Sequence, residues 1–195
     1  GDIRVQEISK EIVSTALQAR KNFPQLPLFV LGGPPCQGFS TGSERRSMDD
    51  ERNLLFYNFK DILLRVKPAG FIFENVTGLL NMENGKIFAL VKRELNQAAG
   101  RMSHWILKAE EHAIPQRRTR VFVVGSNADQ WRLDEPQRIT SASGEADLFG
   151  SLSPLVTASD AISDLPPLVP GEDGSDKEYL SDPRTPYQRL MRGAI

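Results

Sequence analysis

The sequence has few of the features that mark several common classes of protein. Its 195 residues include one cysteine and two histidines. A single cysteine excludes an internal disulfide and is typical of a reducing compartment. The histidines, His104 and His112, lack both ligand spacing and a cysteine partner, so we expect no metal site. An apolar run of membrane-spanning length and a signal-peptide pattern are also missing, and we expect a soluble, cytoplasmic protein with no membrane partner.

Excess charge of either sign is missing as well. Lysine and arginine number 24 and aspartate and glutamate 25, for a net charge of −1. A protein that passively coats nucleic acid draws its affinity from many phosphate contacts. The charge balance therefore argues against that class, although it is compatible with an enzyme that has a local basic cleft.

Apolar segments of two kinds alternate along the first two thirds of the chain. Residues at helical spacing predict helices over about 5–22, 50–66 and 83–99. Short apolar runs predict strands at Leu28–Leu31, Gly70–Glu74, His104–Ala109 and Arg120–Gly125. This alternation predicts an α/β fold with a mostly parallel sheet, helices on both of its faces and a late antiparallel strand.

The composition changes after Ser126, where acidic sequence rich in serine, glycine and proline begins. We expect one helical turn within Asp160–Pro167, capped by Asp160. From Val169 to Pro186 we expect either loop or a segment that is ordered only by a partner. The chain is therefore divided into a domain over residues 1–127 and a loop-rich region over residues 128–195.

The only cysteine, Cys36, lies in the segment Gly32–Ser40, which reads GGPPCQGFS. This segment directly follows the first predicted strand, and its prolines can continue neither a strand nor a helix. Open α/β sheets bind their ligands at the carboxyl ends of such strands. A lone cysteine is often a small buried apolar residue, but burial does not require two prolines and three glycines. The context favours a thiol with a chemical role.

Three blocks in this order resemble the C5-cytosine DNA methyltransferases. They are Pro34–Ser40 (PPCQGFS), Phe73–Val76 (FENV) and Gln116–Arg120 (QRRTR). The resemblance implies a partial Rossmann-like core of the S-adenosylmethionine-dependent methyltransferase type. It implies methyl transfer to C5 of cytosine in double-stranded DNA, with S-adenosylmethionine as the co-substrate and no metal.

The family chemistry suggests a role for each catalytic candidate. The Cys36 thiolate adds to C6 of cytosine and makes C5 nucleophilic. A free thiol titrates near about 8.5, and Arg118 and Arg120, which in the family line the base pocket, are the candidate cations. Glu74 donates a hydrogen bond to N3 of the base, a role that requires a pKa raised by burial. Arg117 is out of phase with these arginines and faces either solvent or backbone phosphate.

The target base lies inside a stack and must be flipped out before it reacts. The segment Thr41–Arg52 fits a loop that closes over the flipped base, although an ordinary flexible loop explains it equally well. Asn75 is expected to fix the turn that carries Glu74. By the resemblance, further residues of the three blocks bind substrate: Pro35, Gln37, Ser40, Asn75, Val76 and Gln116.

The opening residues, Gly1–Arg4, resemble the family's third block. By that resemblance Asp2 contacts the adenine amino group of the donor, Ile3 packs on its ring, and Pro34 forms a wall of the same site. The family's earlier donor-binding blocks and its closing helix have no counterpart. We therefore expect the central segment of a catalytic domain, followed by a transition into a target-recognition region. A complementary polypeptide or flanking regions would complete it, and alone it would fold poorly or bind the donor weakly.

The leading hypothesis is a bacterial DNA (cytosine-5)-methyltransferase of the restriction-modification or orphan kind. The same chemistry on transfer RNA is one alternative, since RNA is distinguished by shape cues outside these blocks. A non-catalytic DNA-binding subunit is another, although it would need none of Cys36, Glu74, Arg118 and Arg120. A thiol protease or hydrolase would need a histidine near Cys36.

Overall fold

The structure is a computed structural model that describes residues 2–35, 51–127, 131–142, 146–147 and 150–193. The chain forms two compact units. The first consists of Gly1–Leu107 and Thr119–Glu135, and the second of Lys108–Arg118 and Pro136–Ile195. The second unit thus includes a short stretch that precedes the fourth strand.

A four-stranded sheet organises the first unit. Its strands are β1 (Phe29–Gly32), β2 (Gly70–Val76), β3 (Arg101–Lys108) and β4 (Thr119–Ser126), in the order β1-β2-β4-β3. β1 runs parallel to β2, and β4 runs antiparallel to β2 with Val76 opposite Arg120. The late antiparallel strand is thereby confirmed. Because β4 runs backwards, its first residues lie at the carboxyl end of β2.

Three helices accompany this sheet: α1 (Gln6–Asn22), α2 (Glu51–Val66) and α3 (Lys86–Leu95). α2 and α3 contribute to the main core, in which Phe56 and Leu63 of α2 and Val91 and Leu95 of α3 are fully buried. α1 packs on α2 through a smaller cluster around Val13. No helix within the described ranges has the length and apolar character needed to cross a membrane.

The two faces of the sheet differ. The core that holds α2 and α3 contains Phe71, Phe73, Val121 and Val123, which the pleat places on one face. The alternate residues belong to the opposite face, where Leu31 is 70% exposed. Within the described residues the helices therefore cover only one face of the sheet. The sequence had predicted helices on both faces. Glu74 lies on this second face.

Short elements form the second unit. They are β5 (Thr140–Ser141), β6 (Ala146–Asp147), β7 (Gly150–Ser151), β8 (Ser153–Pro154), α4 (Ala158–Ile162) and α5 (Pro186–Met191). β5 pairs with β8 and β6 with β7. The predicted loop from Val169 is confirmed as far as Thr185, the residue before α5.

The helical turn near Asp160 is present, but Asp160 does not cap it. Thr157 is the N-cap of α4, and Asp160 occupies the third helical position of a capping box. In this arrangement the Thr157 hydroxyl accepts from the Asp160 amide, while the carboxylate accepts from the Thr157 amide at 2.8 Å. The sequence alone was ambiguous because threonine and aspartate are both good caps.

An ion pair between the helices of the main core yields a test of its electrostatics. The Lys60 ammonium on α2 lies 2.6 Å from the Glu94 carboxylate on α3, and both side chains are about 15% exposed or less. The hydrogen bond from Lys60, assisted by Arg93, holds the pKa of Glu94 below its ordinary value. A lowered folded-state pKa means that the stabilisation is present above the unfolded pKa and is lost as the pH falls through the folded pKa.

We expect Glu94→Gln to lower the free energy of unfolding by about 1 kcal/mol at pH 7, because it removes a pair with little solvent exposure. The difference from wild type should decrease as the pH falls below the unfolded pKa of about 4.3 and should vanish once the pH is below the lower folded-state pKa. Urea unfolding at a series of pH values measures both effects. Glu11→Gln on the exposed side of α1 is the control. A difference that stays constant across the acid range would contradict the proposed role of this pair.

Candidate active site

The chain leaves β1 through two glycines that allow close packing. A Cβ atom on Gly32 would lie 2.5 Å from the Phe59 ring, and one on Gly33 would lie 3.0 Å from Oε2 of Glu74. Any side chain at these positions would displace α2 or the carboxyl group. The glycines therefore let the segment leading to Cys36 pass directly beside the end of β2.

Asn75 ties the same segment to β2. Its side-chain amide donates to the Pro34 carbonyl at 2.9 Å, and its Oδ1 accepts from the Val76 amide at 3.0 Å. Asn75 is 6% exposed, so the Pro34 carbonyl receives this bond in a buried setting. Pro34 precedes Cys36 by two residues. The sequence predicted that Asn75 fixes the turn carrying Glu74, but the bond extends further and fixes the turn that leads to the thiol.

Glu74 and Arg120 form an ion pair on the second face of the sheet. The Arg120 Nε lies 2.9 Å from Oε1 of Glu74, and the side chains are 23% and 33% exposed respectively. A second nitrogen of Arg120 donates to the Thr119 carbonyl at 2.8 Å. The antiparallel register explains the contact, since Arg120 lies opposite Val76, two residues beyond Glu74. The burial expected for Glu74 is thus only partial.

All three sequence blocks therefore meet at one end of the sheet. Pro34 represents the first block, Glu74 and Asn75 the second, and Arg120 the third. One carboxyl oxygen is bound by a guanidinium, and the other lies beside Gly33 on the path to the thiol-bearing loop. This end of the sheet can hold a planar polar ligand by hydrogen bonds to the Glu74 carboxyl group.

Several predicted site residues lie elsewhere. Cys36, Gln37 and Ser40 are outside the described residues, as is segment 41–50 of the proposed closing loop. The last two residues of that proposed loop already belong to the backbone of α2, which begins at Glu51. Pro34 is buried, whereas Pro35 and Val76 are exposed.

Gln116 and Arg118 belong to the second unit, and both are exposed. The Arg118 amide donates to the Glu110 carboxylate at 3.3 Å, and the Arg118 carbonyl accepts from the Ala109 amide at 2.8 Å. The third block is therefore divided between the units. Its last arginine reaches Glu74, and its middle portion belongs to the loop before β4.

Asp2 is bound by its own neighbour. Its carboxylate accepts from the Arg4 side chain at distances down to 2.6 Å and from the Arg4 amide at 3.0 Å. These hydrogen bonds hold the pKa of Asp2 below its ordinary value. Ile3 is half-buried. No group of three or more potential metal-binding side chains occurs in the part of the chain that the structure describes.

Sequence reasoning missed the contacts that unite the site. The Glu74–Arg120 pair and the close passage of Gly33 were not predicted. The signal for the first was present as opposite charges near the ends of two strands, but it could be used only once their register was known. The pair of glycines directly after β1 was the signal for the second.

The bond from Asn75 leads to a prediction that uses the only cysteine of the chain as a probe. We expect Asn75→Ala to leave the Pro34 carbonyl without its donor and to cost about 1–3 kcal/mol of unfolding free energy. The rate at which Cys36 reacts with a disulfide reagent should rise several-fold, because the loop loses its tether. Asn81→Ala, at an exposed position, is the control. If the two variants react at the same rate, Asn75 does not hold the loop.

A model of the C-5 cytosine-specific DNA methylase family matches residues 4–190. The chain is 42% identical over 179 residues to the type II methyltransferase M.AgeI of Thalassovita gelatinovora. This alignment covers 84% of the chain and 41% of M.AgeI. It is 36% identical over 175 residues to M.AquIA of Picosynechococcus, another type II methyltransferase. This alignment covers 84% of the chain and 71% of M.AquIA.

A similar fold occurs among solved structures. An Escherichia coli prophage protein described as a DNA modification methyltransferase superimposes with a TM-score of 0.51 at 28% identity. The match covers 80% of this chain and 41% of that protein, so the chain spans less than half of this relative and of M.AgeI. The predicted fold class, a partial methyltransferase core, is confirmed.

Proposed function

The chain belongs to the C-5 cytosine-specific DNA methylase family, and from this premise we propose that it carries the catalytic centre of a DNA (cytosine-5)-methyltransferase. One observation supports the proposal above the others. Glu74 and Asn75 contact Arg120 and Gly33–Pro34 at one end of the sheet, so the blocks that bear the reactive groups form one site.

Cys36 is the proposed nucleophile. Its thiolate forms a bond to C6 of cytosine, and the electron pair of the C5–C6 double bond becomes available at C5 for bond formation with the methyl group. The bond between that methyl group and the sulfur of S-adenosylmethionine breaks at the same time, and its electron pair remains on the donor sulfur. The C5 proton then leaves to a base, and the sulfur–carbon bond breaks to restore the double bond and the thiolate. The hydrogen bond from Asn75 to Pro34 supports this role, because it restrains the backbone two residues before the sulfur.

Glu74 is proposed to bind the edge of the base. Its carboxyl group accepts a hydrogen bond from the amino group of cytosine and, when protonated, donates one to N3. The second bond stabilises the electron density that thiolate addition pushes onto the ring. Arg120 orients Glu74 through Oε1, and Arg118 is proposed to act as a second cation at the base.

The remaining block residues are proposed to position substrate. Pro35, Gln37, Ser40, Val76 and Gln116 would contact the flipped nucleotide or its backbone. Asn75, also assigned to substrate binding from the sequence, is better supported as the residue that holds the loop. Flipping is required because C5 and C6 are inaccessible within a base stack.

S-adenosylmethionine supplies the methyl group when it is bound. Asp2 and Ile3 fit the adenine end of such a donor, since a carboxylate can accept from the amino group and an aliphatic side chain can pack on the ring. Both Asp2 oxygens accept hydrogen bonds from Arg4, so a bond from the donor's amino group would replace at least one of these. Pro34 is proposed as a wall of the same site.

The wider role follows from the relatives. M.AgeI and M.AquIA are named type II methyltransferases, so we place this chain in a bacterial methyltransferase of the restriction-modification or orphan kind, acting on double-stranded DNA in the cytoplasm. Residues 1–127 would provide catalysis, and residues 128–195 would lead into target recognition.

Replacing the nucleophile tests the chemistry. We expect Cys36→Ser to abolish transfer of a labelled methyl group from S-adenosylmethionine to duplex DNA, because a neutral hydroxyl does not add to C6. DNA binding, measured by fluorescence anisotropy, should remain. Methyl transfer by this variant at the wild-type rate would contradict the covalent mechanism.

Glu74 is tested by an isosteric change. Glu74→Gln retains the acceptor oxygen but cannot donate from a carboxyl group, so we expect kcat to fall by about 10²-fold or more. Circular dichroism should show an unchanged fold, and Glu11→Gln on α1 is the matched control. Should Glu74→Gln turn over as fast as the control, Glu74 has no part in the reaction.

A further inference from the structure

A cleft in the second unit has no role in the account above. It has a volume of about 340 Å³, at the small end of the range of about 300–1,000 Å³ for ligand sites. Gln116 and Arg117 line it together with an apolar wall. That wall consists of Pro115, Leu155, Val156 and Ala158.

Arg117 brings an uncommitted positive charge to this cleft. The side chain is exposed, and among the described residues no ion pair engages it. Lys108 and Arg138 in the same unit both pair with Glu111 instead. An exposed guanidinium beside an apolar wall retains its full capacity for charge-assisted hydrogen bonds to an anion.

Among the described residues that line the cleft, Glu110 alone carries a carboxylate. It accepts from the Arg118 amide at 3.3 Å, so part of its acceptor capacity is directed at the main chain. Its negative charge still opposes an anion in the cleft. If the ligand is anionic, removing the charge of Arg117 should weaken its binding, and removing the charge of Glu110 should strengthen it.

The chemistry of the lining identifies the ligand. One cation and an aliphatic wall match a unit that is anionic at one end and apolar at the other, as the phosphate and deoxyribose of a DNA strand are. A free small anion would require several converging buried donors, whereas a polymer collects affinity from many single exposed contacts. Arg117 also lies three residues before Arg120, which binds the proposed catalytic carboxyl group.

We propose that this cleft binds one phosphate–deoxyribose unit of the DNA backbone, with Arg117 on the phosphate and the apolar wall against the sugar. The inference rests on the proposed function, because it takes DNA as the substrate. It adds a contact that is independent of base identity.

The test measures equilibrium binding of the purified protein to a labelled duplex between about 50 and 200 mM salt. The Arg117→Gln variant should bind several-fold more weakly. The slope of its plot of log affinity against log salt should be smaller in magnitude than that of wild type by about 0.9, as expected for one phosphate contact fewer. Arg189→Gln, on the exposed surface of α5, is the matched control and should keep the wild-type slope.

A second variant carries the opposite expectation. Glu110→Gln keeps an acceptor for the Arg118 amide but removes the negative charge, so it should bind duplex DNA more tightly than wild type. If Arg117→Gln keeps the wild-type slope, or if Glu110→Gln leaves the affinity unchanged, the cleft is not a backbone site. Binding is measured without methyl transfer. If the variants show these effects while the wild-type enzyme, supplied with its flanking regions, transfers no methyl group to duplex DNA, the proposed function is contradicted and the backbone site is not.

Discussion

The register of β2 between its two neighbours is the constraint on which the rest of the site depends. Its parallel pairing with β1 brings Asn75 and Glu74 to the point where the chain turns towards Cys36. Its antiparallel pairing with β4 brings Arg120 to the same point. A shift of one residue in the pairing of β2 with β4 would place Glu74 and Arg120 on opposite faces and would separate them.

The pleat assigns different tasks to neighbouring residues of β2. Phe73 points into the core that holds α2 and α3, while Glu74 points to the second face and meets Arg120. Asn75 returns to the core face, is buried, and holds the Pro34 carbonyl. One short strand thus connects the packed core, the proposed catalytic carboxyl group and the loop of the proposed nucleophile. The packing of β2 in the core therefore fixes the positions of Glu74 and Asn75.

The sequence allowed accurate prediction wherever local periodicity decides the structure. Apolar residues at helical spacing located α1–α3, and the alternation of elements identified the fold class. Contacts between distant segments could not be read in this way. The Glu74–Arg120 pair depends on register, and the capping of α4 by Thr157 depends on a choice between two good caps. Helices on both faces were expected from general α/β architecture, whereas the described helices pack on one face of the sheet.

The central claim is that Cys36 attacks cytosine within a site built from the three blocks. The most direct measurement incubates the protein with S-adenosylmethionine and duplex DNA that contains 5-fluorocytosine, and maps the product by mass spectrometry. Fluorine at C5 leaves no proton to remove, so the covalent intermediate cannot collapse. The account predicts a methylated nucleotide adduct on the peptide that contains Cys36. An enzyme that methylates ordinary duplex DNA but forms no adduct on this peptide would contradict it.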